Sequence, residues 1–85
     1  MKRLVEEVNG AGLEALLGER ITLMCMNYFY TGKLIGVNDT CVKLTDASVV
    51  FETGAYDTKV WKDEQALPHD WYVQIQSIES FGILK

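Results

Sequence analysis

GLEALLGERITLMCMNYFYTGKLIGVNDTCVKLTDA, residues 12–47, is the stretch whose reading decides the fold. It begins with helical spacing. Leu13, Leu16 and Leu17 recur at i, i+3 and i+4, and Gly18 closes the run because glycine takes the left-handed cap conformation without steric cost. From Glu19 the period changes to two. Ile21, Leu23 and Cys25 fall on one face of a strand and Thr22, Met24 and Met26 on the other. A tight turn at Asn27 and Tyr28 leads into FYTGKLIGV, where Leu34 and Ile35 take opposite faces. Gly32 and Gly36 lie inside this second strand, and glycine there marks strong bending or the close approach of another backbone. Asn38-Asp39 is a turn signal. Residues 41–45 begin a third strand, predicted to break at Asp46-Ala47 and to resume through Val49 to Phe51.

Working outward, Leu4, Val5 and Val8 also have helical spacing, separated from the leucine group by Asn9-Gly10 and Gly12. Residues 1–18 are therefore predicted to be a frayed, amphipathic helical segment covering one end of the sheet. On the other side, residues 53–69 are a polar, acidic loop that holds the only proline, with a short hairpin extension expected at Val60-Trp61. Trp71, Val73 and Ile75 then alternate with Tyr72, Gln74 and Gln76. After a kink at Gln76-Ser77 a final strand runs over residues 78–83. The whole of residues 1–85 reads as one domain: all-β with one N-terminal helix, its five antiparallel strands strongly bent into an open barrel of the SH3 or OB kind. Such a barrel leaves two edges. The apolar terminal strands WYVQI and SFGIL carry few charges to protect those edges, which points to pairing with another subunit.

Composition narrows the function classes. With 48% hydrophobic and 24% charged residues in an 85-residue chain, the protein reads as fully folded,. A domain this small buries only about 60% of its unfolded surface, and oligomerisation is a common remedy. The net charge is −4; residues 1–45 hold five basic and five acidic side chains, whereas residues 46–85 hold three and seven. Non-specific nucleic-acid binding needs a positive field, which this balance does not supply. The longest uncharged run, residues 21–32, is too short and too polar to span a bilayer, and MKRLVEE does not suit a signal peptide, so a cytoplasmic protein without a membrane partner is expected. Cys25 and Cys41 sit in apolar alternating stretches and read as free thiols. His69 near Asp63, Glu64 and Asp70 shows no metal-ligand spacing, and no nucleophile motif or phosphate loop is present. The expectation is a protein that is not an enzyme and takes no metal or cofactor.

Residues 12–47, taken together, resemble the first motif of the Sm-like (LSm/Hfq-like) protein family. The matching parts are Leu13 to Leu17, Gly18-Glu19-Arg20, the Gly32-x-Leu34-x-Gly36 pattern, the turn at Asn38-Asp39 and the apolar strand Val42 to Leu44. The spacing from Gly32 to Leu44 is similar to that of the Hfq branch. YVQIQSIESF resembles the second motif, with Gln74, Gln76 and Ser77 where the family generally has a basic residue. The resemblance implies a closed homo-oligomeric ring, single-stranded RNA as partner and an RNA-chaperone role. It places the pore-lining, base-holding positions at Asn38, Asp39, Thr40, Gln76 and Ser77. Amides and hydroxyls read base edges, but none of these five neutralises a phosphate.

Further contacts on a ring face are expected from Lys2, Arg3, Tyr28 and Tyr30, since a ring repeats such groups around its axis and aromatics stack on bases. The same aromatics also suit barrel core and subunit contact. Two other readings stand beside the RNA-binding ring: an assembly or protein-interaction ring without RNA, motivated by the acidic balance, and a monomeric SH3-like module that recognises a peptide. Ring size depends on a small angle at the subunit contact and is expected at about five to eight copies.

Overall fold

In the computed structural model, which describes residues 12–85, the alternating residues after Glu19 form β1 (Arg20–Cys25), paired antiparallel with β2 (Phe29–Val37). β2 pairs in turn with β3 (Cys41–Glu52), the longest strand. The other edge of β3 is shared: β5 (Trp71–Gln74) pairs with residues 41–44 and β4 (Asp63–Ala66) with residues 48–52. β6 (Ile78–Gly82) pairs with the free side of β1, which completes the order β4-β3-β2-β1-β6 with β5 beside β4 on β3. The result is one open, six-stranded antiparallel sheet. A single 3-10 turn, Ile75–Ser77, carries the chain from β5 on one side of the sheet to β6 on the other. So short a link brings the two sides together at that corner, which requires the sheet to curl.

The curl comes from bulges. Thr31 pairs with Ser48 and Lys33 with Thr45, so Asp46 and Ala47 together face Gly32. Two residues opposite one bend a strand and increase its twist. Asp46 takes φ 52°, a left-handed conformation that aspartate tolerates better than most residues,. Arg20 of β1 holds it there, donating to the Asp46 carbonyl at 3.1 Å with the Asp46 carboxylate 3.6 Å away. A second bulge lies on β2 at Ile35, between the pairs Leu34 with Leu44 and Gly36 with Lys43. The break predicted at Asp46-Ala47 is therefore a bulge within a continuous strand, because the two residues bend the ladder without ending it.

Ile21, Leu23, Leu34, Val42 and Leu44 are fully buried, joined in the core by Cys25, Ala47 and Val73. Thr22, placed on the outer face by alternation, is also buried, and residues 80–84 wall a small cleft beside it and Met24. Thr31 Oγ1 donates to the Ile21 carbonyl at 3.0 Å, whereas Thr22 Oγ1 has no hydrogen-bond partner among the described residues.

The N-terminal helix is corrected over the residues that can be compared. Only Leu13–Leu16 is helical, as one 3-10 turn, between Gly12 at φ 71° and Gly18 at φ 89°. Positive φ at both glycines leaves room for no longer helix. Leu13 and Leu16 still pack against the core, while Leu17 is exposed. The remainder of the expected segment 1–18 lies outside the described residues. Among the described residues the strand count rises from five to six because β4 forms inside the 53–69 loop, two residues beyond the expected Val60-Trp61 extension. Both cysteines are free thiols. Among the described residues no helix is long and apolar enough to cross a membrane.

Candidate nucleobase cleft

The corner where β5 turns into β6 lies against the turn between β2 and β3. Asn38 builds that turn: its side-chain Oδ1 accepts from the Thr40 amide at 2.8 Å, the Cys41 amide at 2.9 Å and Thr40 Oγ1 at 3.1 Å. An asparagine bonding its own backbone two and three residues on is a self-contained turn former. The two turns are tied together where the Ile75 amide donates to the Thr40 carbonyl at 2.9 Å. Between them opens a cleft of about 510 Å³.

Three of the five residues assigned to the pore line this cleft: Asp39 and Thr40 from the first turn and Gln76 from the second. Asn38 does not line it, and its acceptor oxygen is committed to the turn. Ser77 is also outside the lining. Cys41, Gln74, Ile75 and Tyr72 complete the walls.

Tyr72 supplies what the turn sequences lack. It is 61% exposed on β5, and its ring offers a flat apolar surface at the side of the cleft. Lys43, paired across from it on β3, places its ammonium 5.4 Å from the centre of that ring. Lys43 also lies 3.8 Å from the Asp70 carboxylate, which Thr45 Oγ1 holds by a 2.7 Å hydrogen bond. Reading the two turns alone misses this pair, since Lys43 and Tyr72 lie far apart in sequence. Cross-strand pairing of the alternating segments 41–44 and 71–74 is the signal that could have found it.

Of the face contacts, Tyr28 is exposed and meets Phe51 edge to face, with ring centres 5.2 Å apart. It lines a separate groove of about 460 Å³ with Tyr56 and Lys62, whose ammonium is 3.2 Å from Glu52. Tyr30 is half-buried and packs against the core. Lys2 and Arg3 lie outside the described residues. Among the described residues no group of three or more His, Cys, Asp or Glu side chains could hold a metal ion. In comparisons with known proteins, no family model, curated protein or solved structure matches the chain.

Proposed function

We propose that this chain is an Sm-like subunit of a homo-oligomeric ring and that each copy holds one base of a single-stranded RNA in the cleft between its two turns. The observation that carries the reading is the convergence of Thr40, Gln76 and Tyr72 on one cleft. Thr40 and Gln76 offer hydrogen-bonding groups for a base edge, and Tyr72 offers a stacking face, the combination by which proteins read unpaired bases. Lys43 is the nearby cation, and a phosphate there competes with Asp70. With Asp39 also on the wall, the site favours the base over the backbone. Affinity should accordingly be modest and only weakly dependent on salt, with a slope in log K of about −0.7 for each phosphate neutralised.

The edges support the ring. Among the described residues β5 and β6 both have an unpaired side, and Trp71, Phe81 and Ile83 are large apolar side chains exposed near them. Joining β6 of one copy to β5 of the next, with the rotation closing at about five to eight copies, covers both edges. Fluorescence anisotropy with short oligo-U and oligo-A at low salt tests the RNA site, and light scattering tests the ring. A species of 9.6 kDa in solution excludes the ring. A ring that binds neither oligonucleotide at low salt rules out RNA and leaves the second reading, an assembly or protein-interaction ring. That reading is favoured by the acidic excess of residues 46–85.

A further inference from the structure

The loop between β3 and β4 closes around the side chain of Lys85. The Lys85 ammonium donates to the carbonyls of Thr53 and Ala55, both at 2.8 Å, and to the Val60 carbonyl and Thr58 Oγ1, both at 3.1 Å. It also stands 4.6 Å from the centre of the Trp61 ring. Trp61 is only 8% exposed in an otherwise largely exposed loop, so the ring is a fixed wall.

The loop is shaped for this convergence. Gly54 takes φ 68°, a conformation that suits glycine, and it lies between the two residues whose carbonyls approach the ammonium most closely,. Thr58 is tied back to the same loop, its hydroxyl lying 2.8 Å from the Ala55 carbonyl and 3.0 Å from that of Val60. A hydroxyl with one proton donates to one of these and keeps lone pairs for a cation.

The number and kind of ligands identify what the cage recognises. A lysine ammonium has three protons, whereas four oxygens surround it, and the aromatic face attracts charge without accepting a directed bond. This arrangement answers a compact positive charge more than a set of directed donors. All four oxygens are uncharged, as in the carbonyl rings that replace the hydration shell of potassium. Spacings of 2.8–3.1 Å are too long for calcium at about 2.3–2.6 Å or magnesium at about 2.0–2.1 Å,.

We propose that residues 53–61 form a binding site for one monovalent cation of potassium or ammonium size, and that the Lys85 side chain is its tethered occupant. The site shares no residue with the nucleobase cleft. A tethered group presents itself at an effective concentration of the order of millimolar. The free ion therefore enters when Lys85 is removed, or when the ion is present well above that level.

The test uses the full chain with Lys85→Ala, melted at constant ionic strength in potassium, ammonium or tetramethylammonium chloride. Tetramethylammonium is too large for the cage. The variant should gain about 6–11 °C, saturably, in potassium or ammonium relative to tetramethylammonium, as expected for a ligand at roughly tenfold its Kd. The unsubstituted chain should show a much smaller difference. A folded Lys85→Ala protein that melts identically in all three salts overturns the proposal. If Lys85→Ala does not fold, the unsubstituted protein decides the matter through the acetylation rate of Lys85, read by mass spectrometry. Replacing tetramethylammonium by about 0.5 M potassium should release the side chain and speed its acetylation several-fold; an unchanged rate overturns the proposal.

Discussion

Gly32→Ala tests the bend of the sheet at the point where it is tightest. A Cβ built at Gly32 lies 3.1 Å from the Ala47 Cα, 3.1 Å from the Leu44 Cβ and 3.1 Å from the Thr45 carbonyl oxygen. Comfortable carbon contacts begin near about 3.5 Å, and two of these three atoms are backbone in the bulge, where they cannot rotate away. Overpacking of this kind costs about 1–3 kcal/mol. The lower entropy of an alanine-containing unfolded chain offsets about 0.4–1 kcal/mol of it. A net loss of about 1–2 kcal/mol follows, and at about 4–8 °C per kcal/mol for a domain of this size the melting temperature should fall by about 5–15 °C. Gly36→Ala is the control on the same strand. Its added methyl meets only the Lys43 Cβ, at an ordinary 3.5 Å. That variant should melt at or slightly above the parent, because only the unfolded-state entropy changes. Scanning calorimetry, with urea titration as a second measure, compares the three proteins. If Gly32→Ala melts with the parent, or Gly36→Ala falls as far, the bulge does not press on β2 as described.

Tyr72→Ala should weaken oligonucleotide binding by about 1–3 kcal/mol, roughly fivefold to 150-fold, with little change in melting temperature because the ring is exposed,; anisotropy and calorimetry on the same samples check both halves. Thr22→Val replaces a buried hydroxyl, unpartnered among the described residues, by a methyl of similar shape and should leave stability unchanged or raise it by up to about 1 kcal/mol; a clear loss in urea titration would show that the hydroxyl has a partner,. Burial, and secondarily the Glu79 carboxylate, raises the Cys25 thiol above its ordinary 9.0. The fold thus favours the neutral thiol, and the resulting stability is complete below about pH 9 and lost as pH rises through the folded value. Iodoacetamide at pH 8 should modify Cys41 well before Cys25, and Cys25→Ala should flatten the alkaline decline in melting temperature; equal labelling of both thiols would contradict the burial.

Local chemistry determined much of this protein from the sequence alone. Period-two alternation from Ile21 onward, the Asn38-Asp39 turn and the kink at Gln76-Ser77 are decided by neighbours, so β1, β2 and the corner before β6 were legible. Other features follow from partners distant in the chain. The helix expected over residues 1–18 shrinks, among the described residues, to one 3-10 turn between two positive-φ glycines. β4 exists because residues 48–52 of β3 need an edge partner, although DEQA has little strand character of its own. Thr22 is buried, against its place in the alternation, in a fold that also brings residues 80–84 beside it.

The candidate site divides in the same way. Asp39, Thr40 and Gln76 were legible as turn residues, while Tyr72 and Lys43 meet only through the pairing of β3 with β5. The Lys85 cage was invisible in the sequence, because three of its four oxygens belong to backbone carbonyls. Every residue carries such a carbonyl, and only the tertiary path of the chain decides where it points.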